Sequence, residues 1–225
     1  MSKIILVRHA QASLGKTEYD QLSDLGFTQA KLLGEYFAKT GQQPKNIIHG
    51  SLKRHQQTAN TFQQAQARDI SLQENPDWNE FDFKKLIQLY LEAFPKEVPE
   101  PGNVRAFFSI LKKSMLAWSE DQLDHQKHTL ESWHAFSARI SRALNSIPKN
   151  EQDEPTIVVT SGGAIAMLMA NLLRVSPRVM IDMNFQIRNT SFSEIIKKPH
   201  KEHLVAFNQI NHLIDQQDSK LITFA

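Results

Sequence analysis

Arg8 and His9 stand side by side directly after a four-residue apolar run, Ile4-Ile5-Leu6-Val7. An arginine held at a strand end offers a fixed fork of N–H donors to a phosphate or carboxylate. A neutral histidine beside it can act as a covalent nucleophile toward phosphorus. The dipeptide alone is a weak signal, because it recurs at Arg54-His55. Arg54 belongs to a second group, Ser51-Leu52-Lys53-Arg54-His55-Gln56-Gln57-Thr58-Ala59, and falls in the first turn of an expected helix. A cation there opposes the helix dipole. Either the arginine is solvated, or an anion sits between it and the helix end.

A third group is Thr160-Ser161-Gly162-Gly163, after a strongly apolar run. Its glycines would let backbone amides close on an oxyanion at a helix N-terminus. The plain alternative is an ordinary serine N-cap in a tight strand-to-helix turn. The lysine of a P-loop and the spacing of a dinucleotide fingerprint are both missing. In Asn79-Glu80-Phe81-Asp82-Phe83, two carboxylates lie among aromatics. Glu80 or Asp82 could have a raised pKa and act as a general acid, or the segment could be a surface loop. Lys84, Lys85, Arg105, Lys112 and Lys113 could meet an anionic substrate but read mainly as solvated helix faces. Asn189 and Ser191 fall near a strand start and are candidates to line the site. His49, His55, His125, His128, His134, His200, His203 and His212 have no metal-ligand spacing and receive no role.

These residues need elements to position them. Residues 4–7 read as a buried strand, and residues 11–23, with Gly15, as a loop. Ser23 reads as the N-cap of a helix over 25–37, stopped at 41–44. Residues 46–49 read as a second strand, and Ser51 as the cap of a helix reaching Ala67. Residues 70–72 are a weak third strand. From 84 to 130 the character changes: Pro95, Pro99 and Pro101 cluster. Val104, Phe107, Phe108, Leu111, Met115 and Trp118 then mark an amphipathic helix, which reads as part of a helical insertion over the site or as a plain helix pair. A helix follows over 131–147, a strand over 156–160 and a helix over 164–173. Residues 181–187, 191–196 and 203–207 read as later strands, and the polar tail from Asp215 as loosely held. Alternating strands and helices predict an α/β fold, with ligands beyond the carboxyl ends of the strands.

The bulk numbers narrow the class. The 225 residues fit one domain, 1–225, with the 84–130 insertion inside it. Apolar residues make up 40% and charged residues 22%, which indicates a folded, water-soluble chain. A net charge of +2 is too balanced to argue for nucleic acid as partner. The absence of cysteine excludes disulfides, thiolate catalysis and cysteine-bound metals. No apolar run suits a signal peptide or a membrane span, so the expected location is the cytoplasm, with no membrane partner.

Taken together, the pieces resemble the histidine phosphatase superfamily, the phosphoglycerate mutase-like family, over nearly the whole chain. The resemblance rests on Leu6-Val7-Arg8-His9-Ala10-Gln11-Ala12-Ser13, Leu22-Ser23-Asp24-Leu25-Gly26 and Gln29-Ala30, then on Ser51-Leu52, Arg54 and Gln57-Thr58-Ala59. It implies a three-layer αβα sandwich with a mostly parallel central sheet and a helical cap at 84–130. It implies a phosphatase acting on a small phosphorylated substrate without cofactor or metal. His9 resembles the family's phosphoryl acceptor, Arg8 and Arg54 its phosphate clamps, and Glu80 its proton donor, with Asp82 competing. Ser161 and Gly162 would complete the phosphate site. Two positions depart from the pattern. Ala10 stands where the family usually has glycine, and Ser161 where it usually has a second histidine, which predicts an active but slow enzyme. A phosphoglycerate-type mutase and a non-catalytic phospholigand-binding protein are the alternatives.

Overall fold

Ile4, Ile5, Leu6 and Val7 are fully buried because their strand, β1 (Ser2–Arg8), runs through the interior of a six-stranded sheet. The computed structural model describes residues 2–13, 20–66, 68–97, 103–148, 154–199 and 201–224. Gly15, Ala67, Pro99, Pro101 and His200 lie outside them. The other strands are β2 (Asn46–His49), β3 (Ser71–Glu74), β4 (Thr156–Thr160), β5 (Phe192–Lys198) and β6 (Lys201–Gln209). Their order is β3-β2-β4-β1-β5-β6. The four strands from β3 to β1 are mutually parallel, whereas β5 and β6 run antiparallel at one edge. The sheet is therefore mostly parallel.

A strand covered on both faces must be apolar on both faces, and β1 and β4 are. Ile5, Val7, Ile157 and Val159 pack with Leu33, Phe37 and Phe62 from α1 (Asp24–Lys39) and α2 (Lys53–Ala65). Ile4, Leu6 and Val158 face the opposite layer, with Phe136 and Ile140 of α5 (Trp133–Ser146) and Met167 and Leu168 of α6 (Gly162–Leu173). Each such large apolar side chain contributes about 1.5–3 kcal/mol by leaving water. Two helical layers around a sheet give the expected αβα sandwich. Within the 84–130 region, α3 (Phe83–Ala93) and α4 (Val104–Ser119) pack on each other and extend the second core cluster.

Local signals set most helix starts. Ser23 caps α1 by accepting from the Gly26 amide at 3.0 Å, and Ser132 caps α5 through the Ala135 amide at 3.1 Å. Three expectations need correction. Residues 181–187 do not form a strand, because Ser176 and Pro177 start helix α7 (Pro177–Asn184), a cap-and-proline signature that outweighs the apolar run. Ser51 does not cap α2; Leu52 holds that position, and the Ser51 hydroxyl accepts instead from Asn79 Nδ2 at 2.7 Å. The tail is not loosely held. After α8 (Asn211–Ile214), Leu221 is buried, and the Leu221 carbonyl accepts from Gln29 Nε2 at 2.8 Å. Among the described residues, no helix is long and apolar enough to cross a membrane.

Candidate functional site

Strands β1, β2 and β4 end together, and each hands a polar segment to the same place. The His9 amide donates to the Thr160 carbonyl at 2.8 Å, and the Gly50 amide to the Val159 carbonyl at 3.2 Å. These bonds continue the parallel register past the strand ends, which is where open α/β sheets bind ligands. A cavity of about 320 Å³ opens there, with Arg8, His9, Arg54, Glu80 and Gly162 at its polar end.

The His9 loop is held from several sides. The Ala10 amide donates to Thr58 Oγ1 at 3.1 Å, and the Gln11 amide to Gln29 Oε1 at 2.9 Å. The Leu22 amide donates to Gln57 Oε1 at 2.8 Å. Gly26 lies so close beneath Gln11 that a Cβ there would sit 2.2 Å from the Gln11 carbonyl oxygen. Several of the residues that carry the family resemblance thus brace this loop. Ala10 is not among the positive-φ residues, so its methyl group is tolerated.

Asn189 and Ser191 do not line the cavity wall; they fix the backbone of Arg8 and His9. Asn189 Nδ2 donates to the His9 carbonyl at 3.1 Å, and the Arg8 amide donates to the Ser191 carbonyl at 3.0 Å. Between them, Thr190 sits at φ 56, an unusual backbone for a β-branched residue. Its hydroxyl pairs with His212 Nε2 at 2.9 Å. Thr223 locks Asn189 in turn, accepting from its amide and donating to its Oδ1, each at 2.9 Å.

The His9 ring has a defined tautomer. Nδ1 lies 2.7 Å from the Ala10 carbonyl, which can only accept, so Nδ1 carries the hydrogen. Nε2 then holds the lone pair, and it accepts from Arg54 Nε at 3.2 Å. Burial, and then the charges of Arg54 and Arg8, hold the ring well below its usual pKa. His9 is therefore a neutral imidazole between two arginines.

Arg54 lies in the first turn of α2, and the anion beside it is Asp20. The Asp20 carboxylate accepts from Arg54 Nη1 at 2.5 Å and from the Lys53 amide at 2.9 Å. One carboxylate thus offsets the helix dipole and orients the guanidinium. Arg8 is anchored from below by the Ile187 carbonyl, which accepts from its Nη1.

Glu80 sits at the other helix end. Its Oε2 accepts from the Gly163 amide at 2.9 Å, and its Oε1 from the Phe81 amide at 3.2 Å. A Cβ on Gly163 would lie 2.2 Å from Glu80 Oε1, so this contact requires glycine. Arg139 braces the approach to Glu80, donating to the Asp77 and Asn79 carbonyls at 2.8 and 2.9 Å. Burial raises the Glu80 pKa, although the two amides and both arginines pull the other way. Asp82 is exposed and caps α3 through the Lys85 amide at 3.1 Å. Lys85, Lys112 and Lys113 are in surface ion pairs with Asp82, Asp182 and Glu97.

Ser161 occupies the N-cap position of α6 without making a side-chain cap bond. Its hydroxyl is 2.6 Å from Nε2 of His55. His55 is fully buried, its ring centroid 5.6 Å from that of His9. Its Nδ1 meets no hydrogen-bond acceptor among the described residues, which puts the ring hydrogen on Nε2, donating to Ser161. A Cβ on Gly50 would lie 2.3 Å from that Nδ1, so the glycine makes room for the ring. Burial and the Arg54 charge hold His55 neutral too.

His55 is the main residue the sequence reading passed over. It shares the buried face of α2 with Ala59 and Phe62, four and seven residues on, and a histidine in that stripe beside Arg54 was a readable signal. Asp20 gave none, since it arrives by loop geometry alone.

Known proteins place these features in context. The chain is 26% identical over 200 residues to the mitochondrial serine/threonine-protein phosphatase PGAM5 of Xenopus laevis, a match that covers 88% of this chain and 61% of that protein. The mycobacterial glucosyl-3-phosphoglycerate phosphatase in complex with VO3 has a similar fold, with a TM-score of 0.63 and 21% identity, over 93% of this chain and 100% of that one. A mutant phosphoserine phosphatase from Entamoeba histolytica in complex with phosphoserine gives 0.65 and 22%, over 95% and 100%. Residues 4–210 match the family model of the histidine phosphatase superfamily (branch 1), and the chain belongs to that family.

Proposed function

We propose that the protein is a phosphomonoester hydrolase that forms a phosphohistidine on Nε2 of His9. The observation that carries this reading is the state of that ring: neutral, with its hydrogen fixed on Nδ1 and its lone pair at the end of the cavity that holds both arginines. Arg8 and Arg54 take the phosphate oxygens and spread the charge that develops on them. His9 attacks phosphorus in line, the P–O ester bond breaks, and Glu80 gives its proton to the leaving alkoxide. Glu80, now a carboxylate, removes a proton from water. The water oxygen bonds to phosphorus, the P–N bond breaks, and phosphate leaves. The raised pKa of Glu80 suits both roles. The phosphatases among the relatives support the reaction class.

Ser161, paired with His55, lies buried behind the cavity wall and supports the phosphate site through its neighbour Gly162, which lines the cavity. A mutase would need a second phosphate-binding cluster, whereas the cations among the described lining residues are Arg8 and Arg54 alone.

The test is chemical trapping. The protein is incubated with 32P-labelled phosphomonoester in the presence of EDTA, quenched in base and mapped. Base-stable, acid-labile label on the peptide carrying His9, absent from His9→Ala, is expected. Hydrolysis without such label would refute the covalent step, and ligand binding with neither would make the protein a phospholigand binder.

A further inference from the structure

Beyond its polar end, the cavity is built almost entirely of phenylalanine. Phe81, Phe83, Phe107, Phe108, Phe185 and Phe224 line it, six of the chain's 13. They come from separate parts of the fold: the segment after Glu80, α3, α4, the end of α7 and the carboxyl-terminal tail. Four of them form a continuous edge-to-face chain. Phe83 meets Phe107 at 6.5 Å between centroids and 90°, Phe107 meets Phe108 at 5.5 Å and 77°, and Phe108 meets Phe185 at 6.1 Å and 88°. Aromatic pairs favour this geometry, and a further ring can join it.

The complement matters as much. Among the described lining residues, the charged groups are Arg8, Arg54 and Glu80, all committed to the phosphoryl group in the reading above. Apart from the neutral His9, Asn184 is the one neutral polar side chain among those residues, and Leu111 adds to the apolar wall. The nearby lysines of α4 are turned away: Lys112 pairs with Asp182 and Lys113 with Glu97, each at 2.5 Å. A substrate carboxylate or ammonium would thus lose water at this wall and find, among the described lining residues, only the uncharged Asn184 amide as a partner. An aromatic group would lose water and gain ring contacts. A cavity of about 320 Å³ lies at the small end for ligand pockets, which suits a compact ring system.

We infer that the substrate is the phosphate ester of a compact aromatic alcohol, its ring seated against the Phe83–Phe107–Phe108–Phe185 wall while its phosphate meets Arg8 and Arg54. The inference rests on the phosphatase reading for turnover but not for binding.

Aryl phosphates such as 4-nitrophenyl phosphate have good leaving groups and would confound the comparison, so the test uses alkoxide leaving groups only. kcat/KM is measured for 2-phenylethyl phosphate, ethyl phosphate, O-phosphoserine and 3-phosphoglycerate. In parallel, calorimetry measures binding of 2-phenylethylphosphonate and 2-amino-3-phosphonopropionate, which cannot turn over. The phenylethyl ester is expected to exceed the other three by at least about tenfold in kcat/KM, with the same order in binding. Phe107→Arg should narrow or reverse the preference, and Phe108→Leu, a milder change at a partly exposed position, should reduce it. Equal or better use of phosphoserine or phosphoglycerate would overturn the inference and leave the phosphatase reading intact. Tighter binding of the phenylethyl phosphonate with no ester hydrolysed would uphold the aromatic site and overturn the phosphatase reading.

Discussion

His55 Nε2 lies 2.6 Å from Ser161 Oγ, so the imidazole that neighbours His9 comes from helix α2, behind the cavity wall, and not from the turn before α6. The two positions are coupled by contact. Ser161→His alone would drive one imidazole into another in a fully buried space, costing about 1–3 kcal/mol of stability. His55→Ala alone would leave Ser161 without its partner. The pair His55→Ala with Ser161→His should restore an imidazole beside the phosphate. We expect each single variant to lose about 10- to 100-fold in kcat, and the pair to recover most of it. Thermal melts and kcat for the four proteins check this; a pair no better than Ser161→His defeats the coupling.

Gly163→Ala should act as a remote Glu80 variant. Its Cβ would land 2.2 Å from Glu80 Oε1 and push the carboxyl from its amide donor. On alkyl phosphates, kcat should fall about 100-fold or more, as for Glu80→Gln. On 4-nitrophenyl phosphate, whose leaving group needs no proton, both variants should lose far less. Equal losses on both substrates would remove Glu80 from the proton-donor role.

The pH profile should peak on the acid side. Burial and two arginines depress His9, so this proposed nucleophile protonates only well below pH 6.5. Burial raises Glu80, so the protonated acid persists above the usual carboxyl range and is lost as pH rises through that raised pKa. For alkyl phosphates, kcat should therefore fall on the alkaline side, and Glu80→Gln should abolish that limb. An alkaline optimum in the parent protein would contradict the assignment.

Stability should fall in acid for a traceable reason. His9, His55 and His212 are buried and neutral, with His212 pushed down to about 3 by desolvation. Each binds a proton in the unfolded chain at about pH 6.5 but not in the folded one. Their contribution is complete above pH 6.5 and erodes as pH falls, by up to ~1.4 kcal/mol per pH unit each, down to the folded pKa values. Glu80, with its raised pKa, works in the opposite direction. Melting temperatures from pH 7.5 to 4.5 should drop, less steeply in His212→Gln. A flat profile would refute this account.

Much of the fold was legible because its signals are local. The apolar runs of β1 and β4, and the Ser23 cap of α1, needed no tertiary information. The strand-end rule then pointed Arg8, His9 and Arg54 to one location, and the family resemblance added Glu80. What the sequence hid is contact across the chain. Asp20 reaches Arg54 from 34 residues away, and Ser161 reaches His55 from 106. The tail reads as loosely held because its composition is polar, yet Leu221 and Thr223 are tied to Gln29 and Asn189 by backbone and side-chain bonds that composition does not encode. The helix at 177–184 carries a local signal, its Ser-Pro start, but the apolar residues within 181–187 mimic a short strand when read by spacing alone.

Arg54 Nε occupies the lone pair of His9 Nε2 in the resting protein. A nucleophile so covered is shielded from passing electrophiles, and a neutral reagent has nothing to offer the guanidinium in exchange. A ligand bearing anionic oxygens would: under the proposed reaction, the oxygens that take up the guanidinium also free the nitrogen. Arg54 would then serve as latch as well as clamp, and the phosphate would be the key.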